Sequence, residues 1–332
     1  MPQVLAIVDG SSLIHRAFYA LPLLTTADGR YTNAVYGFTT MLLKLLQEIK
    51  PDAMAVAFDK SRITFRNTDY AQYKAQRKPT PPELTEQFDS VREVLAAFGI
   101  TCLEQEGYEA DDIIGTLARC ARQAGYETYI VTGDRDALQL IDEHTKVLLT
   151  KKGISEMELM NLEGLAAKYG ITPEQFIDVK GLMGDTSDNI PGVPGVGEVT
   201  ALKLIKEFGS IENLLANLDK VSGAKLQDKL RSHSDLAVLS KRLATIACNV
   251  PLACDINNLG FAPDPEKLRQ VFTKFEFKSL LNKLPILFPT AQETVDAGEQ
   301  MPDVIELKTA AAVEDFCGAV KAAGSVAVYP LI

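Results

Sequence analysis

VLAIVD, residues 4–9, is a short unbroken apolar run closed by an aspartate, and its reading decides the fold because the design recurs. AMAVAFD (53–59) and ETYIVTGDRD (127–136) are built the same way, each an apolar segment with Asp at or just beyond its end. Apolar runs of this length bounded by turn signals read as buried strands. Helical patterns separate them. Val35, Phe38, Leu42, Leu45 and Ile49 recur at helical spacing, and TPPELTEQFDSVREVLAAFG (80–99) has Pro at its start and Gly99 at its stop. Strands alternating with helices imply a parallel α/β sheet. Ligands of such sheets bind beyond the carboxyl ends of the strands, so Asp9, Asp59, Asp134 and Asp136 are expected along one edge.

From about residue 161 the strand pattern stops and helices follow, marked by the Thr172-Pro173 start and by stops at Gly170 and Gly209. The expected organisation is an α/β core over 1–160, a helical subdomain over 161–285, an aperiodic linker over 286–303 and, from 304 to 332, the opening of a further domain too short to build its own core. A chain of 332 residues, 46% hydrophobic, can bury a large core. The sequence offers neither a basic leader with a cleavage site nor a long apolar span, and its five cysteines are scattered without a CxxC pair. Those features exclude a disulfide framework and a zinc site and place the chain in a reducing cytoplasm, away from membranes. No feature points to a symmetric interface, and a monomer is expected.

GYEADDIIGTLA (107–118) sets Glu109, Asp111 and Asp112 at the start of a helical pattern, and GLMGDTSDNIPGVPGVG (181–197) adds Asp185 and Asp188. Acids in a first turn are ordinarily explained by the helix dipole, and a single Asp at a strand end by turn hydrogen bonding. Nine carboxylates brought together exceed what a dipole can hold ionised. Hard divalent cations with oxygen ligands are the natural counter-charge, and carboxylates without His or Cys point to Mg²⁺ or Mn²⁺. Two such ions can activate water and clamp a phosphodiester without a protein base.

The net charge of −10 averages over faces. Residues 60–80 nevertheless carry Lys60, Arg62, Arg66, Lys74, Arg77 and Lys78 against Asp69 alone, with Phe65, Tyr70 and Tyr73 interleaved. This composition suits a single-stranded backbone and its unpaired bases; the plainer alternative is a solvated basic face. The glycines of GVPGVG (192–197) read either as a tight turn between helices or as a backbone nest for phosphate, with Gly192, Gly195, Gly197 and the following Lys203 as candidate DNA contacts. Glu198 and Val199 after the last glycine do not fit a P-loop.

Taken together, VDGSS, FD (58–59), YKAQR (73–77), EADD (109–112), TGDRD (132–136) and GDTSDNIPGVPGVG (184–197) resemble the 5′-nuclease domain family found at the N-terminus of bacterial DNA polymerase I, within the flap-endonuclease superfamily, over about residues 3–285. The resemblance implies a PIN-like core with a helix-hairpin-helix relative, and cleavage near 5′ flaps, nicks and RNA primers in replication and repair. It implies Asp9, Asp59, Glu109 and Asp111 on one metal, Asp134, Asp136 and Asp185 completing a second around Asp111, and Asp112 and Asp188 as outer ligands. Arg16, Tyr73, Lys74 and Arg77 would steer phosphate, with Arg66 and Lys78 in an arch over 60–82. The hairpin would carry a monovalent cation such as K⁺, and a polymerase region would follow. The pattern is departed from in two places. Val199 stands where the family often has Lys, and Tyr329 and Leu331 fall where an active proofreading exonuclease would have Asp and Glu.

A non-catalytic DNA-junction-binding module would share the basic residues but has no use for repulsive acids facing a polyanion. A phosphohydrolase acting on a small ester would gather Asp and Mg²⁺ at strand ends, but it would not need the helical half.

Overall fold

The computed structural model describes residues 2–151, 153–154, 156–288 and Phe316. Six strands form one sheet: β1 (Val4–Asp9), β2 (Ala53–Ala57), β3 (Thr101–Leu103), β4 (Glu127–Thr132), β5 (Thr145–Thr150) and β6 (Met157–Met160), in the order β3-β2-β1-β4-β5-β6. All neighbours are parallel except β5 and β6. The expected strands are β2, β1 and β4 at the centre of the sheet, where Ile7 aligns with Ala55 on one side and Ile130 on the other. Leu5, Ala6, Ile7 and Val8 are fully buried, as strands covered on both faces require. The chain diverges to opposite sides of β1 at β2 and β4, which opens a crevice beyond their carboxyl ends.

Asp9 ends β1 and caps the helix Gly10–Ala20, its carboxylate accepting from Ser12 N–H. The helix Asn33–Ile49 buries Val35, Phe38, Leu42 and Leu45. The pattern at 80–99 is realised as two helices, Pro82–Thr85 and Gln87–Ala97, ending at Gly99 with φ +67°. The helix Ala110–Gln123 starts in the crevice and packs along β1, β2 and β4.

Beyond β6 the described chain is helical. Gly170 closes Leu162–Tyr169 in the left-handed conformation, and Thr172 and Gln175 form a capping box for Pro173–Met183. The loop 184–197 joins that helix to Glu198–Phe208. One hydrophobic cluster runs from Ile7, Ala55 and Ile130 of the sheet to Phe176, Leu204 and Ile211, so both halves share a core. Residues 1–284 form one unit and 285–332 a second. The linker and opening strand expected from 286 onward lie outside the described residues, apart from 286–288 and Phe316. No helix among the described residues is long and apolar enough to cross a membrane.

Candidate metal and nucleic-acid site

Asp9 is buried in the crevice, with Oδ1 accepting from Ser12 N–H at 2.9 Å and Oδ2 from the Thr132 hydroxyl at 2.7 Å. Thr132, at the end of β4, also accepts from Asp134 N–H at 3.0 Å, and Asp134 accepts from Asp136 N–H at 2.9 Å. One hydroxyl therefore ties the carboxylate of β1 to the acidic loop of β4. Burial, with repulsion from Asp59 and Asp134, outweighs the Ser12 and Thr132 hydrogen bonds and lifts Asp9 to about 7. Asp59 accepts from Ala110 N–H at 3.0 Å, which seats the end of β2 on the start of the helix Ala110–Gln123. Asp111, in that helix's first turn, leaves Oδ1 buried without a hydrogen-bond partner. Burial and the charges of Asp9 and Asp134 raise its pKa well above the usual range.

A second group surrounds Glu109 and Asp188. The Tyr73 hydroxyl lies 3.2 Å from both carboxylates, and Lys74 Nζ lies 2.7 Å from Glu109 and 3.6 Å from Asp188. Arg77 pairs with Asp188, and Lys74 N–H donates to the Asp188 carbonyl at 2.9 Å. Burial and the two acids push the Tyr73 phenol upward, which keeps it protonated. The stretch 72–77 is further joined to 186–189 by Gln76 on the Thr186 carbonyl and Asn189 on the Gln72 carbonyl.

The third group contains a residue that the sequence reading missed. Lys180, inside the apolar stretch FIDVKGLM, places Nζ 2.7 Å from Asp136 and in contact with Asp185. Burial and repulsion from Asp134 lift Asp136 to about 7 despite this lysine. Asp185 goes the other way: its partial burial is outweighed by hydrogen bonds from Lys180 and Ser187, which bring it to about 2. The signal was present in the sequence, since a lysine amid apolar helix residues needs an acidic partner. A cleft of about 290 Å³ lined by Ser12, Gly133, Asp134, Arg135, Asp136, Lys180 and Asp185 opens here.

Four expectations need correction. Asp112 is fully buried and engaged by Arg66 through two hydrogen bonds of 2.7 Å, while also accepting from Glu109 N–H and Ala247 N–H. No oxygen of it faces the crevice as an outer metal ligand would. Arg66 is 3% exposed and also donates to the Leu243 and Thr245 carbonyls, so it is a structural cation and no DNA contact. Tyr73 is 4% exposed and offers no face for base stacking. Gly192 is buried against Gly184 with its N–H on Ser240, so close packing and not phosphate approach accounts for it. Gly195 and Gly197 are exposed at the turn before the helix Glu198–Phe208, and Lys203 and Lys78 are exposed as well. Arg16 is half-buried with its guanidinium on the Lys151 carbonyl.

The donor set is all oxygen and under-compensated, with an orphaned buried oxygen on Asp111, which suits hard divalent cations. Among the described residues no three His, Cys, Asp or Glu side chains already enclose a common point, so the acids line an opening and do not form a closed cage.

The sequence profile described as the 5′-3′ exonuclease N-terminal resolvase-like domain matches residues 4–170, and that of the 5′-3′ exonuclease C-terminal SAM fold matches 171–267. The chain belongs to the 5′-3′ exonuclease family. This family of hydrolases acts on DNA. DNA polymerase I of Bacillus caldotenax is 50% identical over 285 residues, covering 86% of this chain and 32% of that protein. The chain thus spans about a third of the length of the curated relatives it matches. T5 5′-exonuclease with bound divalent zinc ions is 21% identical with a TM-score of 0.61, over 84% of this exonuclease-family chain and 98% of the T5 chain. The catalytic core of Rad2 in complex with DNA substrate is 18% identical with a TM-score of 0.58, over 86% and 92%. At those identities the likeness establishes the fold, an α/β resolvase-like core joined to a helical SAM-fold region.

Proposed function

We propose that this chain hydrolyses DNA at 5′ flaps and nicks, including RNA-primed ends, using two or more Mg²⁺ or Mn²⁺ ions. The observation that carries this is the mutual repulsion of Asp9, Asp111 and Asp134 around a buried Asp111 oxygen without a partner. Asp9, Asp59, Glu109 and Asp111 would hold one ion, and Asp134, Asp136 and Asp185 a second with Asp111 between them, leaving Asp188 as an outer ligand. Bound there, such cations supply water activation and neutralise the charge that builds up on the phosphate. The chain's own groups would orient the reaction. Ser12 and Thr132 fix Asp9, Lys74 and Arg77 present cationic heads beside Glu109 and Asp188 where a phosphate would enter, and the Tyr73 hydroxyl bridges those two acids.

Arg16 and Lys78 are assigned to the single-stranded side, and Gly195, Gly197 and Lys203 to the duplex side. Residues 1–160, with the arch over 60–82, would then do the chemistry while 161–285 grips duplex, with K⁺ supporting the hairpin. Family membership supports a setting in a bacterial cytoplasm, at the nucleoid, with a DNA polymerase I region following in the longer protein. A 5′-labelled flap duplex incubated in Mg²⁺ or in EDTA, beside an Asp134→Ala variant, tests the reading. Junction cleavage that needs Mg²⁺ and collapses in the variant is expected. Tight flap binding without cleavage under any divalent cation would leave only a DNA-junction-binding module.

A further inference from the structure

Lys180 touches both Asp136 and Asp185, whereas Arg135, in the same cleft, acts on Asp136 through its charge and makes its ion pair with Glu198. The Lys180 side chain is 9% exposed, and it leaves the helix Pro173–Met183 one turn before the loop that carries Asp185. Of the two partners, Asp185 is anchored through its far carboxylate oxygen and Asp136 only through its backbone. Ser187 N–H and hydroxyl hold Asp185 Oδ1 at 2.7 and 2.6 Å, and the Asp136 N–H is fixed on Asp134 at 2.9 Å. The ammonium bridges Asp136 Oδ1 and Asp185 Oδ2. A neighbouring pair shows a different design. Lys241 meets Asp178 at 2.6 Å and Glu212 at 2.8 Å, and Asp178 also caps Ile211 N–H at 3.0 Å, so neither acid belongs to the set assigned to the cations.

The identity of the partners separates the two, since only Lys180 bridges acids assigned to a cation. Asp134 still repels Asp136 beside the bridge, so the Lys180 ammonium relieves the crowding of acids only in part. A lysine suits a removable counter-charge better than arginine, because its compact head sits on a flexible unbranched stem and makes no planar bidentate fork.

We propose that Lys180 is an internal counter-ion occupying the place of the second divalent cation. It holds Asp136 and Asp185 together in the metal-free protein and withdraws when a divalent ion binds them. This rests on the metal assignment proposed above. The exchange would make the second site the weaker one and would set a threshold of divalent concentration for filling it. A monovalent ion brings no more charge than the ammonium it would displace.

The test reads metal binding and lysine exposure separately from cleavage. Calorimetric titration of the full chain with Mn²⁺ gives the affinities, and acetylation footprinting with mass spectrometry gives the reactivity of Lys180 with and without Mn²⁺, using Lys168 as an exposed internal standard. In the wild-type chain Lys180 should be protected in EDTA and become several-fold more reactive in saturating Mn²⁺, with Lys168 unchanged. In Lys180→Met the weaker Mn²⁺ site should tighten, on the order of tenfold. Mn²⁺ binding with Lys180 still protected, or an unchanged weaker site in the variant, would overturn the counter-ion role alone. Absence of any Mn²⁺ binding to the wild-type chain would remove the metal assignment itself. The footprint needs no variant, so a Lys180→Met chain that fails to fold leaves the proposal exposed to refutation.

Discussion

The two terminal nitrogens of Arg66 donate to the two carboxylate oxygens of Asp112, each at 2.7 Å, and the side chains are 3% and 0% exposed. The pair ties the helix Phe65–Asp69 to the first turn of Ala110–Gln123, and through the Leu243 and Thr245 carbonyls to the end of Ser234–Ala244. Removing one partner of such a pair strands the other as a buried charge. Arg66→Met should lower unfolding stability by about 3–5 kcal/mol, and adding Asp112→Leu should recover only part of the loss, because the Glu109 and Ala247 N–H groups then lose their acceptor. Urea unfolding of the four proteins measures both; a double variant as unstable as the single would locate the loss elsewhere.

Asp111 has the opposite problem, a buried charge among like charges. Asp111→Asn removes the repulsion from Asp9 and Asp134 and keeps the shape. In EDTA the variant should melt higher than wild type, while the stabilisation conferred by Mg²⁺ disappears and cleavage falls by more than about 100-fold. Melting curves with and without Mg²⁺ decide it: a variant less stable than wild type in EDTA would mean that the orphaned oxygen is satisfied in solution.

Stability of the metal-free chain should fall as pH rises from about 4 to about 7. Asp9 and Asp136 have folded values of about 7, far above an unfolded Asp, so the folded state binds more protons across that window and their contribution is lost as they ionise. Asp185, near 2, acts with the reverse sign, stabilising above the ordinary Asp range and losing that contribution only in more acid solution. Because protons compete with cations for the same oxygens, Mg²⁺ affinity should rise over the same interval. A melting temperature in EDTA that climbs from pH 4 to 7 would contradict the burial of these two acids.

Thr132→Val is isosteric and removes one hydroxyl, the one that donates to Asp9 and accepts from Asp134 N–H. Divalent affinity should drop about 10–100-fold, as for other groups that orient a ligand from behind. Calorimetry measures the affinity, and circular dichroism checks that the sheet persists. An unchanged affinity would show that Ser12 alone positions Asp9.

Gly192 and Gly197 separate packing from DNA contact within one loop. A Cβ on Gly192, at φ +58°, would stand 2.4 Å from Gly184 N, whereas one on Gly197 meets nothing within 4 Å. Gly192→Ala should cost about 1–3 kcal/mol of stability, while Gly197→Ala should leave the melting temperature unchanged. Any weakening of duplex affinity in the second variant would then report on the interface itself, and equal destabilisation of both would contradict this loop geometry.

The central strands were legible because VLAIVD, AMAVAF and ETYIVT are uninterrupted and buried on both faces, so composition alone marks them. β3 has three half-buried residues, and β6 pairs antiparallel at the edge with Leu159 exposed, so neither carries a comparable apolar signal. Within the site, an acid in a first helical turn is written alike whether it faces a cation, caps the helix or pairs with a buried arginine. Asp111 and Asp112 stand side by side and point to different environments, one to the crevice and one to Arg66, and only long-range packing separates them. Lys180 escaped notice for a related reason: its partners lie 44 residues upstream and five downstream, and only the sheet and loop together bring them to it.

The acids of the crevice come from β1, the loop after β2, the start of the helix after β3, the loop after β4 and the loop before Glu198. Between Asp9 and Asp185 the ribosome must deliver more than half of this chain, and β1 must find partners on both sides. A growing polypeptide therefore cannot gather the proposed cation ligands until the last of these segments has docked. The same scatter means that proteolysis within 133–184 parts the ligand set into two pieces. If these acids hold the cations, the chain would stay inert until the segment bearing Asp185 is in place.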